Sequence, residues 1–450
     1  MELSDPSDIL EDVLVNQLRY MVVNIPSFKT VHIVVGVCVG SKDEDVSKLG
    51  ISHLIEHLIF KSNERFTTKY HLYKELDLLG SNYNAFTSQE LTVFHLKTHV
   101  RNLEKALDTL GSIVCDPMPK SAELEAERSV VCEEIRNGYD NPIRTVESRI
   151  FRMMYPNHPL CRNIAGSVDT IRSITLADVR RHMSEFYVAS NMYLCIVGGV
   201  NLKDTKDMLE KGVFNHAPVG RRKVHPMSIH KSLVEYKGLN RHSMLDLIEL
   251  PSHQPIVCLG FPAPNVYSSD KYVVDFINNI LVGTMTGSLS RVLREEKGYV
   301  YSISTDQYTF QEFGLFLIKT TCDLDKLYEV VRIIWRELQR ICVNEISTDE
   351  LSRRKNIIEM MVDTANEGTS MIAEYYIRKR LLECGGEDVR PKCDDVRIDR
   401  LFTERYAKVK PRDIRRVCKR MFRREYLKMV VAYKEVSAIE PSKIRDAMDG

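Results

Sequence analysis

The sequence predicts an α+β chain made of two similar domains, each a mixed sheet flanked by helices, joined by a linker. Three observations lead there. At 450 residues the chain exceeds what one hydrophobic core usually serves. Strand-like apolar runs alternate with helical periods along both halves. Finally, "ADVRRHMSEFYVASNMYLCIVGG" from Ala177 aligns without gaps on "RDIRRVCKRMFRREYLKMVVAYK" from Arg412, pairing Asp178 with Asp413, Arg180 with Arg415, Tyr187 with Phe422 and Ile196 with Val431. Both stretches read as a helix followed by a strand, and a repeated unit of this kind points to duplication.

Taken in order, "LRYMVVNIP" and "VHIVVGVCVG" are strands, the second apolar almost throughout, as in a strand covered on both faces. "LGISHLIEHLIFKS" has helical spacing, "ELTVFHLKTHV" returns to strand, and "VRNLEKALDTLGSIV" and "SAELEAERSVVCEEIRNGY" are helices. "MYLCIVGGV" ends the first pattern. The polar, Pro- and Gly-marked "HAPVGRRKVHPMSIHKS" then interrupts it, so residues 216–235 are read as a linker between domains 1–215 and 236–450. Strand-like "IVCLGFPAP" and "GLFLIKTTCD", with long helices, follow in the second domain.

Lys plus Arg (63) nearly balances Asp plus Glu (62), so there is no global field for nucleic acid or an anionic membrane. The densest basic run, "RDIRRVCKRMFRRE", carries Ile414, Val417, Cys418, Met421 and Phe422 at helical spacing and reads as an amphipathic helix with a solvated basic face. Eleven cysteines without a CxxC pair suit reduced thiols. The apolar runs are too short to span a bilayer. Acidic Glu2, Asp5, Asp8, Glu11 and Asp12 precede the first basic residue, Arg19, unlike a transit peptide, and no signal peptide is apparent, so a cytoplasmic location is expected.

The chemistry-bearing letters are "HLIEH". On a helix His53 and His57 project from one face with Glu56 beside them, which is a divalent-metal geometry; the same residues could also be the polar edge of an otherwise buried helix. A catalytic zinc site takes three protein ligands and keeps a position for water. The helix "EAERSVVCEEIRNGYDNP" offers Glu127, Glu133 and Glu134, of which Glu127 and Glu134 lie two turns apart on one face.

With these motifs the chain resembles, over nearly its whole length, the M16 family of metallopeptidases, the inverted zincins that include pitrilysin, insulin-degrading enzyme and mitochondrial processing peptidase. "VGSKDEDVSKLGISHLIEHLIFKS" is similar to the family's strand and zinc helix, "LLGSNYNAFTSQELTVFHLKT" to its edge strand, and "YPNHPLCRNIAGSVDTIRSITLADV" to the stretch that follows. "GTMTGSLSRVLREEKGYVYSIS" resembles its second-domain substrate segment, though less Gly-rich than in many relatives.

The resemblance implies one Zn2+ per chain held by His53, His57 and Glu134, with Glu133 as competitor for the third place and Glu127 in support. It implies Glu56 as general base and acid, Arg294 and Tyr301 as catalytic residues that reach the bound peptide, Tyr301 as a donor that stabilises the tetrahedral intermediate, and Asn84 and Ala85 offering backbone contacts to an extended substrate. The implied activity is that of a zinc metalloendopeptidase acting on short or unfolded polypeptides inside a chamber that closes as a clamshell. The half-length branch of the family further implies a homodimer, or a heterodimer with a related subunit. A presequence-type processing peptidase and a non-catalytic partner subunit are the alternative expectations.

Overall fold

The structure, a computed structural model, describes residues 8–139, 141–221, 244–383 and 396–449. Of the stretch read as a linker, residues 222–235 lie outside the described residues. The chain opens with β1 (Ile9–Val13), β2 (Arg19–Asn24), β3 (Thr30–Val37), α1 (Ile51–Ile59) and α2 (Lys69–Leu78). Strands β4 (Asn82–Thr87) and β5 (Thr92–His99) lead into α3 (Leu103–Cys115), α4 (Ser121–Tyr139) and α5 (Pro142–Met154). Next come α6 (Val168–Ser173), α7 (Leu176–Phe186), β6 (Met192–Gly198) and α8 (Leu202–Lys211).

The second half runs through β7 (Leu245–Glu249), β8 (Ile256–Ala263), α9 (Lys271–Leu281), a π-helix (Ser290–Glu296), β9 (Val300–Thr309) and β10 (Gly314–Cys322). It continues with α10 (Leu327–Val343), α11 (Thr348–Asn366), α12 (Thr369–Arg378), α13 (Leu401–Glu404), α14 (Pro411–Met421), β11 (Lys428–Tyr433) and α15 (Pro441–Asp446). The helix expected over the basic run is α14, whose Ile414, Val417, Cys418 and Met421 are buried.

Two mixed sheets flanked by helices result. The first has the order β1-β2-β6-β3-β5-β4 and the second β7-β11-β8-β10-β9. Their pairing senses match strand for strand. β2 is parallel to β6 as β7 is to β11, and the remaining neighbours, β6-β3-β5-β4 and β11-β8-β10-β9, are all antiparallel. The repeated helix and strand of the sequence are α7 with β6 and α14 with β11, each strand lying inside its sheet.

The compact units are not contiguous in sequence. One comprises Met1–Asn137, Arg162–Met227 and Asp363–Asp394, the other Gly138–Cys161, Ser228–Val362 and Asp395–Gly450. Each sheet therefore takes one covering helix from the other half of the sequence: α12 packs on β3 and β6, and α5 on β8 and β11. On β3, Val31, Ile33, Val35 and Val37 enter the main core of the first unit, so His32, Val34 and Gly36 turn to the α12 face.

At Gly36 a Cβ would sit 2.5 Å from Leu381 Cδ1 and 2.8 Å from Ile377 Cγ2, and at Gly260 of β8 a Cβ would sit 2.4 Å from Ile150 Cγ2 of α5. The two glycines are equivalent: Gly36 pairs with Tyr193 and Gly260 with Lys428, and these partners align in the repeat. Glycine at both positions lets a helix lie directly on the sheet.

Candidate metal centre

Helix α1 begins where Gly50 takes φ 92, a left-handed turn that glycine adopts without strain, and a Cβ there would strike Ala165 O at 2.5 Å. The first turn is capped by a distant acid. Glu44 accepts hydrogen bonds from Gly50 N at 2.7 Å and Ser52 N at 2.9 Å. Burial pushes the Glu44 carboxyl up to about 7, and these two donors work the other way. Ile51, Leu54, Ile55, Leu58 and Ile59 fill the core, which fixes the rotation of the helix and leaves His53, Glu56 and His57 together at its edge.

Helix α4 supplies the acids. Glu134 Oε2 lies 3.7 Å from His53 Nε2 and 3.6 Å from His57 Nε2, and one ligand atom from each of His53, His57 and Glu134 lies within 4.8 Å of the others. Neighbouring Glu133 points away and pairs with Arg136 on its own helix. Two turns before Glu134, Glu127 Oε2 stands 3.2 Å from His57 Nδ1 while its other oxygen meets Lys61 Nζ at 2.7 Å. With the Nδ1 proton donated to Glu127, the Nε2 lone pair of His57 faces Glu134 and His53.

Burial, then the adjacent His57, holds His53 well below the ordinary imidazole range, so it is the neutral form, the one a metal needs, that is favoured. Two imidazole nitrogens and a half-exposed carboxylate converging on one point are a donor set that fits zinc.

Glu56 stands outside this donor set. Its Oε2 accepts a hydrogen bond from Thr87 Oγ1 at 2.7 Å, and burial raises its carboxyl above the usual range. Thr87 ends β4, an edge strand of the first sheet, so the strand carrying Asn84 and Ala85 is tied to the carboxylate beside the histidines. Asn84 is exposed and its Oδ1 accepts from Ala85 N at 2.9 Å. Arg294 and Tyr301 belong to the other unit, where the Arg294 guanidinium lies 6.0 Å from the centre of the Tyr301 ring and Tyr301 is 86% exposed.

Lys61 and Glu44 were not singled out from the sequence, and Thr87 entered only as the last letter of the Asn-Ala-x-Thr edge strand, with no role assigned. Thr87 stands in the same "NAFTS" stretch as Asn84, whereas nothing local marks Glu44 as the cap of a helix that starts several residues later.

Comparison with known proteins gives a consistent picture. The family model described as insulinase (peptidase family M16) matches residues 19–168, and that described as peptidase M16 inactive domain matches residues 173–358. An uncharacterised zinc protease of Streptomyces coelicolor is 24% identical over 436 residues, covering 96% of this chain and 90% of its own. Another uncharacterised zinc protease, from Bacillus subtilis, is 26% identical over 402 residues, covering 87% and 95%. Among solved structures, a protease from Helicobacter pylori shares the fold with a TM-score of 0.82 at 23% identity, over 94% of this chain and 99% of that one. The two family models stand in tandem between residues 19 and 358, and the chain belongs to peptidase family M16.

Proposed function

We propose that this chain is a zinc metalloendopeptidase that hydrolyses peptide bonds in short or unfolded polypeptides. The observation that carries the reading is the convergence of His53, His57 and Glu134 with a fourth group, Glu56, held beside them and outside the donor set. His53, His57 and Glu134 would hold one zinc ion, which when bound supplies a Lewis acid that acidifies water and polarises a carbonyl. Glu127 fixes the tautomer and orientation of His57, and Lys61 keeps the Glu127 carboxylate in place.

Glu56 takes the proton of the attacking water, while Thr87 steadies the carboxylate, and then returns that proton to the leaving amine. A structural metal site has no use for such a carboxylate. An extended peptide can add as a further strand along the β4 edge at Asn84 and Ala85, with little regard for its side chains, by displacing the Asn84 side chain from the Ala85 N–H. On the same reading Arg294 and Tyr301 reach the bound peptide, Arg294 by donating to its carbonyl oxygens and Tyr301 by donating to the oxygen that gains negative charge when the carbonyl is attacked. The chain works as a pair, with a second copy or a related subunit.

Metal analysis combined with cleavage of a mixed peptide library, with and without chelator, tests the reading. About one zinc per chain and chelator-sensitive cleavage are expected. Stoichiometric zinc with no cleavage of any peptide would turn the reading to a non-catalytic partner subunit.

A further inference from the structure

The second unit buries a cation that has no part in the mechanism above. Arg354, on α11, is 3% exposed, deep for a group that is seldom buried without full pairing. Its fork is used up. Nε donates to Glu350 Oε1 at 2.7 Å and Nη2 meets the same oxygen at 2.6 Å, one turn back on the same helix. Nη1 donates to Asn279 Oδ1 of α9 at 3.2 Å and to Thr284 Oγ1 at 3.0 Å, and Nη2 donates to the Thr286 carbonyl at 3.1 Å.

Three of these five interactions thus leave α11, and two of them land on one short connection, residues 282–289, between α9 and the π-helix. That connection ends where the π-helix begins, and the helix carries Arg294. Thr284 and Thr286, both held by Arg354, flank Met285, which is 54% exposed and whose sulfur lies 3.9 Å from Arg294 Nη1. Arg291 N donates to Gly287 O at 2.8 Å, tying the connection to the π-helix itself.

We infer that Arg354 is a positioning residue for peptide binding: it clamps the 282–289 connection from beneath, so that Met285 and Arg294 are presented to the substrate in one fixed arrangement. A planar fork suits this task because one rigid group reaches a carboxylate, a hydroxyl, an amide oxygen and a main-chain carbonyl together, which an ammonium cannot. The inference rests on the proposed reading of Arg294 as a peptide contact.

The test uses the full zinc-loaded chain with a peptide it cleaves, and compares Arg354→Lys, Thr284→Val and Arg294→Ala. Arg354→Lys keeps the buried charge and loses the fork; Thr284→Val removes one acceptor at a half-buried position of the connection and guards against a general folding defect. The expected result for Arg354→Lys is unchanged zinc content, KM raised about tenfold, as for a lost hydrogen bond or two, kcat within a few-fold, and faster amide hydrogen exchange at Gly287 and Arg291. Thr284→Val should show a smaller shift of the same kind.

If Arg294→Ala raises KM and neither clamp variant does, the inference is overturned and the reading of Arg294 stands. If the clamp variants raise KM and Arg294→Ala does not, the reading of Arg294 falls and takes the inference with it, since the inference needs Arg294 as a peptide contact. If none of the three raises KM, both fall. A lower melting temperature for Arg354→Lys with KM and exchange unchanged would leave Arg354 a structural ion pair and also overturns the inference.

Discussion

Replacing Glu56 by Gln keeps the shape of the side chain and an oxygen for Thr87 while removing the proton acceptor. Zinc should stay bound and hydrolysis should fall by at least about 100-fold, read by metal analysis and a peptide cleavage assay on the same sample; substantial residual turnover would remove Glu56 from its role. The two neighbouring glutamates of α4 should separate cleanly. Glu134→Ala is expected to lose zinc and activity together, and Glu133→Ala to keep both, because only the former carboxylate reaches the histidines. The histidines were legible because their spacing alone sets them on one face. Spacing did not choose between Glu133 and Glu134, which only the family resemblance put at Glu134: adjacent helical residues point about 100° apart, and which one meets His53 depends on how α4 is rotated against α1. Thr87 was hidden for the same kind of reason, since its contact with Glu56 joins a strand end to a helix.

Among elements, the strands were the easiest to read and the covering helices the hardest to place. β3 announces burial on both faces by a run that is apolar but for Thr30 and His32, but no letter says that α12 is the helix that covers it, or that α5 leaves the half in which it is encoded. Gly36 and Gly260 were the available hints. Gly260→Val should crowd Ile150 and cost about 1–3 kcal/mol of stability, measured as a shift of the denaturation midpoint; wild-type stability would mean that α5 yields at no expense.

A pH dependence belongs to the same face of the first sheet. His32 is 4% exposed, its Nδ1 lies 2.8 Å from Ser370 Oγ of α12, and its ring centre is 5.0 Å from that of His95 on β5. Burial, then His95 and Lys97, pushes its imidazole down to about 3, and burial lowers His95 as well. The unfolded chain therefore takes up a proton below about pH 6.5 that the folded chain refuses. This stability is fully present above that pH and is lost as the pH falls toward 3. Between pH 7 and pH 5 the loss from His32 is about 2 kcal/mol; urea titrations should show it in the wild type and show it diminished in His32→Gln.

At the scale of the whole molecule, the duplication was legible in the repeat, and the structure extends it to five strands of each sheet. The boundaries of the two units were not, because compactness is decided by which helix lies on which sheet and not by position in the sequence. Pairing is the prediction proper to this scale: light scattering on active protein should give twice the mass of one chain, or a related partner should be recovered in stoichiometric amount, and a fully active monomer at every working concentration would exclude it. The crossed helices also set a schedule for synthesis. At ~5–20 residues per second, the roughly 170 residues between the end of β6 and the start of α12 take on the order of 10–30 s. For that interval a nascent chain holds all six strands of the first sheet with the face around His32, Val34 and Gly36 bare, whereas α5 has left the ribosome before any strand of the sheet it will cover. A message broken before the codon for Thr369 would thus yield a fragment that carries His53, His57 and Glu134 yet leaves their sheet uncovered, prone to clump and to be cleared by the cell's own proteases.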